Sequence, residues 1–297
     1  MSLIGRHAEP NGVIRSARPC YESARSHETY VFCRADDLPD TLRRGVLLLG
    51  NFDGFHEGHR SLLAEAKQVA RQLNAPIGVM SAEPHPRSFF APASRRFRLT
   101  SFATKCELFR RHKIDYVYSP RFDAAMSATE PETFITDVIV DGLDAAHLVV
   151  GYDFRFGRKR RGCVDMLSKM GISGGFSVSR LAAKMTNERP YSSTLARELI
   201  FAGDVDGLKV ILGYDWFFDA RIGPRTAYGW RLDVPAEIAV LGDGLYSVAV
   251  SGLLGRPHGM ATLVVRGGAM TLTSGLVAQG EETAYPATVR VRVLQRA

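Results

Sequence analysis

The apolar positions between residues 45 and 213 follow two alternating patterns. Short apolar runs, such as 45–50 and 76–81, predict buried β-strands, whereas the stretch 58–73 carries its apolar residues on one helical face and predicts an amphipathic helix. The same patterns predict further strands and helices along this part of the chain: strands at 114–118, 147–151 and 176–181, and helices at 99–113, 130–140, 164–170, 192–202 and 204–212. Such alternation is typical of a parallel sheet with helices on both faces, so we expect a doubly wound α/β domain.

After Gly213 the pattern changes to short β-type runs separated by glycine. The predicted strands of this region are 216–222, 237–241, 245–250, 260–265 and 288–294. Consecutive short strands without helices predict a small antiparallel β-barrel or sandwich. The expected organisation is therefore a flexible tail at 1–28, an α/β domain at 29–213 and a barrel domain at 214–297.

The composition agrees with a globular protein of two domains. The chain has 297 residues, of which 45% are hydrophobic and 23% charged, and domains commonly hold about 100 to 150 residues. No apolar run reaches the roughly 18 residues of a membrane-spanning helix, and the first 28 residues lack the apolar core of a secretory signal. The four cysteines lie far apart, without a Cys-x-x-Cys pair, which favours reduced thiols in a cytoplasmic protein.

The net charge of +7 favours an anionic partner, which is either nucleic acid or a phosphorylated small molecule. The densest basic cluster, 158–161, has no recognised nucleic-acid-binding motif beside it and is equally compatible with a solvated loop. We therefore expect small-molecule substrates, without a nucleic-acid or membrane partner.

The most informative segment is G-N-F-D-G-F-H-E-G-H, residues 50–59, between the first strand and the first helix. The N-terminus of a helix offers unpaired backbone amides, so imidazoles delivered there form a site for phosphate groups. His56 and His59 are three residues apart and are expected to face one ligand. A zinc protease is excluded by spacing, because Arg60 stands four residues after His56, where a second histidine is required.

This segment resembles the H-x-G-H signature of the nucleotidyltransferase superfamily, and its full string resembles the adenylyltransferase module of bifunctional bacterial FAD synthetases. Three later segments resemble motifs of that family in the same order: E-P-H-P at 83–86, G-Y-D-F-R-F-G at 151–157, and S-S-T-x-x-R at 192–197. Four ordered motifs between Val46 and Gly213 make the resemblance specific, whereas the H-x-G-H pair alone is a weak signal.

The resemblance implies transfer of AMP from ATP to FMN, which gives FAD and pyrophosphate with Mg²⁺ as the companion of ATP. It implies catalytic roles for His56, His59 and Arg197, and no protein ligand for a resident metal ion. The residues that it implies for ATP are Gly50, Asn51, Phe52, Asp53, Gly58, Gly151, Asp153, Ser193 and Thr194. Those that it implies for FMN are Glu83, His85, Phe154 and Phe156.

Several of these residues also have a purely structural interpretation. Ser193 and Thr194 are ordinary helix-capping residues, and the rings of Phe154 and Phe156 stand at strand spacing, as core residues do. Asp53 either binds Mg²⁺ or accepts hydrogen bonds from the amides of its own loop, and we favour the loop.

The chain departs from the family pattern at Ala196, where the family has Ile and only packing is lost, and in two places that bear on function. Ala82 replaces the aromatic residue that usually precedes E-P-H-P, which leaves open another phosphorylated acceptor. The second departure, in the barrel, leaves open a non-catalytic flavin- or nucleotide-binding relative. In the barrel, where the family has the kinase motif G-F-P-T-A-N, the chain reads G-W-R-L-D-V-P-A from Gly229. The strand D-G-L-Y-S-V, residues 243–248, still resembles the family barrel. We therefore expect a degenerate kinase domain that has lost riboflavin phosphorylation.

Overall fold

The computed structural model describes residues 27–92, 96–186, 189–252, 257–273 and 288–297. The expected tail, 1–28, lies almost wholly outside these residues, as does Cys20. In the described part of the chain, no helix is both long and apolar enough to cross a membrane.

The first domain is built on a six-stranded sheet with the order β1-β4-β3-β2-β5-β8. Every neighbouring pair in this sheet is parallel, which confirms the predicted α/β class. The strands of this domain are β1 Tyr30–Phe32, β2 Val46–Leu49, β3 Ile77–Met80, β4 Tyr116–Tyr118, β5 His147–Gly151, β6 Arg155–Phe156, β7 Gly162–Cys163, β8 Ser177–Leu181, β9 Met185–Thr186 and β10 Arg189–Pro190.

Helices cover the sheet and join its strands. They are α1 Glu57–Leu73, α2 Pro86–Phe90, α3 Phe102–Arg111, α4 Ala124–Ala128, α5 Pro131–Thr133, α6 Val164–Gly174, α7 Ser193–Ala202 and α8 Val205–Leu212. Helix α1 forms as its pattern predicts, because Leu62, Leu63, Ala66 and Ala70 share one buried face. It ends at Asn74, which adopts the left-handed conformation of a helix C-cap.

Two local predictions need correction. The short strand β1 was missed, since its three residues offer too little pattern to distinguish a strand from a loop. The predicted helix 130–140 is instead the short α5 followed by a π-helix, Phe134–Gly142. Its wider turns close bonds such as that from the Leu143 amide to the Val138 carbonyl, 2.9 Å, five residues apart.

The second domain is a closed antiparallel barrel with the strand order β11-β12-β15-β14-β13-β16. Its strands are β11 Phe217–Thr226, β12 Gly229–Asp233, β13 Gly244–Gly252, β14 Pro257–Arg266, β15 Ala269–Thr273 and β16 Thr288–Arg296. The barrel is confirmed, but β12 and β15 were missed. The pair Gly267–Gly268 was a sequence signal for the β14–β15 turn. Both residues have positive φ, as a two-residue hairpin turn requires, and glycine adopts this conformation most readily.

The predicted strand 237–241 is wrong. In this segment only Ile238 forms a β-bridge, and its partner is Arg98 of the first domain. The apolar side chains from Ile238 to Leu241 are buried. These residues are therefore apolar because they lie at the junction of the two domains, and not because they form a strand of the barrel.

Helices α7 and α8 connect the two domains. Their buried residues, among them Leu195, Ile200 and Leu208, belong to the same hydrophobic cluster as Trp216 and the barrel interior. We propose that the domain boundary lies near Tyr214, between the end of α8 and the start of β11. The shared core makes this junction a packed interface and not a loose linker.

Candidate active site

The site lies where β2 ends and α1 begins. Strand β2 stands between β3 and β5 in the sheet, so the chain connections diverge on either side of it. In open α/β sheets, ligands bind at the carboxyl ends of the strands at such a switch point. The loop 50–56 follows β2 at this edge, and Gly151 ends β5 beside it.

His56, at the end of this loop, and His59, in the first turn of α1, face each other. Their rings stack at a centroid distance of 3.6 Å with 23° between the planes. His56 is buried and is the N-cap residue of α1, where its side chain makes no capping hydrogen bond. The Nδ1 atoms of both rings are buried without a hydrogen-bond partner among the described residues. Packing thus holds the two rings in place, and their Nδ1 atoms make no hydrogen bond within the described part of the protein.

Both imidazoles are neutral near pH 7. Burial, helped by the positive charge of Arg197, lowers the pKa of His56 to about 4. Burial also lowers the pKa of His59 well below its usual value, and His56 and Lys105 act in the same direction. A neutral imidazole stacked against another can donate a hydrogen bond to a phosphate oxygen without the repulsion that two imidazolium ions would feel.

Glycine lets backbone segments approach the pair closely. A Cβ atom at Gly58 would stand 2.9 Å from the Tyr191 carbonyl oxygen and 3.1 Å from the His56 ring. Gly54 has φ +78°, and a Cβ atom there would lie 2.5 Å from Leu99 Cδ1. Any larger residue at either position would displace the loop.

A second helix N-terminus meets this loop. Ser192 caps α7 by accepting a hydrogen bond from the Leu195 amide, 3.1 Å. Ser193 Oγ donates to the Asp53 carbonyl, 2.9 Å, and Thr194 Oγ1 lies 3.4 Å from Arg197. The start of α7 is therefore tied to the loop that precedes α1, and both helix ends reach the same edge of the sheet, a favourable place for a polyanion.

Asp53 holds this corner together. Its carboxylate, 2% exposed, accepts hydrogen bonds from the amides of Leu99 at 2.9 Å and Thr100 at 3.1 Å, and pairs with Arg197 at 3.1 Å. Burial raises its pKa against the opposing effects of the Leu99 amide and Arg197. The expected amide donors are thus present, but they come from 99–100 and not from the aspartate's own loop. Its contact with ATP stays a prediction.

Glu83 lies in a buried ionic cluster. It receives two hydrogen bonds from Arg98, 2.8 and 2.7 Å, and one from Lys105 Nζ, 2.9 Å. Lys105, 1% exposed, also donates to the Asn51 carbonyl at 3.1 Å and to Ser81 Oγ at 2.7 Å. The two cations hold the Glu83 pKa below its ordinary value although burial opposes them. The cluster fixes the ends of β2 and β3 relative to each other.

Lys105 and Arg98 were missed by sequence reasoning. Lys105 lies on the buried face of α3 with Leu108 and Phe109, and a lysine on an apolar helix face is a signal of a buried ion pair. Arg98 had no such signal, because it lies outside any regular element and its partner Glu83 is remote in the chain.

His85 caps α2. Its Nδ1 atom accepts a hydrogen bond from the Arg87 amide, 3.1 Å, and its ring stands edge-on to Phe97, with 5.1 Å between centroids. Burial, then the charges of Arg98 and Lys105, lower its pKa to about 3. The structure shows a capping role for His85 at the start of α2. Its contact with FMN stays a prediction.

Acid is expected to destabilise the fold through these histidines. A histidine whose pKa is about 3 in the folded state and near 6.5 when unfolded stabilises the fold fully above about pH 6.5. That contribution is lost as the pH falls from 6.5 towards 3, because the unfolded chain binds the proton first. We expect the melting temperature to drop by several degrees between pH 7 and pH 5. His85→Asn, which keeps a capping acceptor, should show a smaller drop; an equal drop would contradict the assignment.

Of the remaining predicted aromatic residues, Phe52 packs against His59 with 5.0 Å between ring centroids, whereas the ring contacts of Phe154 and Phe156 are with other residues. Phe156 is buried in the core beside Phe134, at 5.3 Å, and Phe154 stacks on Phe156 at 5.7 Å. Phe52 is likewise a core residue, 1% exposed. Packing is thus their observed role, and ligand contacts of Phe52, Phe154 and Phe156 stay predictions. Asp153 is exposed in the loop that follows Gly151 at the end of β5.

Among the described residues, no group of three or more His, Cys, Asp or Glu side chains is placed to hold a metal ion. Asp53, the residue considered for Mg²⁺, is occupied by protein donors. Any Mg²⁺ at this site would therefore be held mainly by the phosphates that it accompanies.

A parallel α/β sheet with an H-x-G-H loop at its switch point, where two helix N-termini meet, defines a nucleotidyltransferase. The FAD synthetase family matches residues 38–195. The chain belongs to this family, and it is an enzyme of the adenylyltransferase type.

Similar curated proteins carry one name. The "Bifunctional riboflavin kinase/FMN adenylyltransferase" of Escherichia coli is 32% identical over 228 residues, which cover 74% of this chain and 73% of that protein. The protein of that name from Pseudomonas fluorescens is 34% identical over 187 residues, which cover 63% of this chain and 58% of that protein.

A solved structure entitled "Crystal Structure of Macrolide-efflux Protein from Streptococcus pneumoniae" is similar over both domains. It covers 91% of this chain and 90% of its own, with a TM-score of 0.73. Its sequence is 21% identical, so this likeness shows a shared fold and carries no statement about function.

Proposed function

We propose that the chain transfers AMP from ATP to the phosphate of FMN, with FAD and pyrophosphate as products. The observation that carries this proposal is the stacked pair His56 and His59 at the start of α1, beside Arg197. The relatives from Escherichia coli and Pseudomonas fluorescens are named FMN adenylyltransferases, which supports the choice of ATP as donor and FMN as acceptor. The proposed location is the cytoplasm, with which the free Cys33, Cys106 and Cys163 agree.

The proposed chemistry is an in-line displacement at phosphorus. An oxygen of the FMN phosphate attacks the α-phosphorus of ATP, and the bond from that phosphorus to the oxygen bridging the β-phosphate breaks. The electron pair leaves with pyrophosphate, and Mg²⁺ enters as the companion of ATP. Such a reaction needs little covalent help, because alignment and stabilisation of charge supply most of the acceleration.

The histidine pair and Arg197 divide this task. The neutral imidazoles donate hydrogen bonds to phosphate oxygens, and they are fixed before the substrate arrives by their mutual stacking. Arg197 is held at 3.1 Å by the carboxylate of Asp53, so its guanidinium is oriented towards the same corner. Ser193, Thr194 and the amides at the start of α1 and α7 contribute further donors for the ATP phosphates.

The FMN side of the site is proposed near α2 and the loop after β5. His85 and Glu83 begin the segment that leads into α2, and Phe154 is the half-buried ring of the second loop. Glu83 acts there by fixing the loop through Arg98 and Lys105. Loss of riboflavin phosphorylation is part of the proposal, and its support is the replacement of the Thr and Asn of the kinase motif after Gly229.

The test is to incubate the purified protein with ATP and Mg²⁺, with either FMN or riboflavin, and to separate the products by chromatography. We expect FAD from FMN and no phosphorylated flavin from riboflavin. FAD from both would overturn the proposed loss of the kinase. No product from either would overturn the adenylyl transfer to FMN and favour another phosphorylated acceptor or a binding role without catalysis.

A further inference from the structure

A short segment outside the regular strands and helices, residues 96–100, lies between the barrel and the transferase site; we call it the strap. One side of its backbone is bound to the barrel domain. The Arg96 amide donates to the Ala236 carbonyl at 3.0 Å, and the Arg98 amide to the Glu237 carbonyl at 2.8 Å. The Ala239 amide donates back to the Arg98 carbonyl at 2.8 Å. The last two of these bonds form the parallel bridge between Arg98 and Ile238.

Trp216 makes a further bond from the barrel domain to the strap. Its indole Nε1–H donates to the Leu99 carbonyl at 2.8 Å, and its side chain is 1% exposed. The ring packs against Phe218, with 5.2 Å between centroids. A buried indole hydrogen bond of this kind fixes its acceptor in position, since its loss leaves both polar groups without a partner.

The other side of the strap holds carboxylates of the transferase site. The amides of Leu99 and Thr100 donate to Asp53, and the guanidinium of Arg98 binds Glu83. Asp53 in turn binds Arg197 through its carboxylate and Ser193 through its carbonyl. A continuous series of hydrogen bonds therefore runs from Trp216 through Leu99 and Asp53 to Arg197.

The segment that binds the strap, residues 236–239 between β12 and β13, follows the position of the missing kinase motif. From Gly229 the chain departs from G-F-P-T-A-N, and the residues reached next, 236–239, use their backbone groups on the strap. The side chain of Ile238 is buried in the same segment, at 2% exposure. In this chain, the segment that directly follows the position of the missing kinase motif is thus bound to the neighbouring site.

We propose that Trp216 is a positioning residue for adenylyl transfer, which acts through the strap on Asp53 and Arg197. The function of the barrel domain is then to hold the residues of the transferase site in their reactive arrangement. This inference rests on the proposed function for its kinetic part. Its structural part, the coupling of Trp216 to the strap, stands on the hydrogen bonds alone.

A second contact from the same junction supports the coupling. Tyr214 Oη donates to the Gly54 carbonyl at 2.7 Å, inside the H-x-G-H loop. Leu99 itself lies over Gly54, because a Cβ atom placed there would come within 2.5 Å of Leu99 Cδ1. The residues that lead into the barrel therefore touch the catalytic loop directly as well as through the strap.

The experiment compares two variants that loosen the strap with one that disturbs the barrel elsewhere. Trp216→Phe removes the indole donor but keeps an aromatic ring, and Ile238→Ala weakens the segment 236–239. Leu263→Ala opens a cavity in the barrel core, where Leu263 is fully buried, and serves as the control. Two readouts are taken: hydrogen exchange of peptides covering 96–104, and kcat and KM for FAD formation from FMN.

We expect faster exchange at 96–104 in both strap variants, with kcat reduced about tenfold and KM within about twofold, since misplacement by a fraction of an ångström acts on the transition state. Leu263→Ala should lower the melting temperature without this change in kcat.

Unchanged exchange and kcat in the strap variants would overturn the inference, as would an equal loss of kcat in Leu263→Ala. If both strap variants fail to fold while Leu263→Ala folds, the strap is a folding element and the positioning role is rejected. If the wild-type protein makes no FAD, the proposed function fails, and the exchange data alone decide the coupling.

Discussion

His59→Ala is expected to lower kcat for FAD formation by about a hundredfold to a thousandfold, the usual cost of removing one preorganised donor from a phosphate or oxyanion site. The ring of His59 stacks on His56 and lies against Phe52, at 5.0 Å between centroids. Its loss removes one donor and lets the other imidazole turn away. The comparison of kcat and KM between the variant and the wild type, with ATP saturating, measures the effect.

His112→Ala is the matched control for this prediction. His59 stacks on Phe55 at 6.2 Å between centroids, and His112 packs against the same ring at 5.0 Å but lies at the C-terminus of α3. Burial lowers the pKa of His112 to about 4, in the same direction as that of His59. The two variants thus remove the same chemical group from the same aromatic neighbour. Only His59→Ala should lose turnover, while both should lose some thermal stability. Equal kcat in the two variants would show that the histidine pair does not act on the transition state.

Glu83→Gln is expected to lower the free energy of unfolding by about 3–5 kcal/mol, as breaking a buried ion pair by removing one partner does. Glu83 is the carboxylate between Arg98 and Lys105, whose side chains are 8% and 1% exposed. Glutamine keeps the shape and one acceptor oxygen, but it leaves two buried cations with one fewer negative charge. Urea unfolding followed by circular dichroism measures the loss.

Lys105→Met provides the comparison, because it removes a buried cation and leaves the Glu83–Arg98 pair intact. Its methylene chain is replaced by a side chain of similar length, so packing on the face of α3 changes little. We expect a clearly smaller loss of stability than for Glu83→Gln. The opposite order would mean that the bonds of Lys105 to Asn51 and Ser81, and not charge balance, dominate the cluster.

The local pattern was sufficient wherever a structural feature depends on neighbouring residues. The strands β2, β3 and β5 and helix α1 formed close to their predicted bounds, since a continuous apolar run marks a strand buried on both faces and a spacing of three or four marks a helix with one buried face. Ser101 and Ser192, residue types that favour the start of a helix, accept amide hydrogen bonds at the starts of α3 and α7, 3.1 Å in each case. The family was recognisable because its motifs are contiguous strings of residues.

The pattern failed where partners are remote in the chain. The apolar run 237–241 has the composition of a strand, yet its backbone partners belong to the other domain. Asp53 finds its amide donors at 99–100, a distance in sequence over which no spacing rule applies.

By itself, the sequence determined the class of both domains, the histidine pair and the family, because each of these is written in residues that are close together along the chain. Only the tertiary structure decided which charges are buried together around Glu83 and how Trp216 reaches Asp53 through the strap. The physical reason is that a buried charge or donor is stabilised by whichever partner the fold brings within about 3 Å. That partner is selected by the packing of sheet against barrel, and not by distance along the chain.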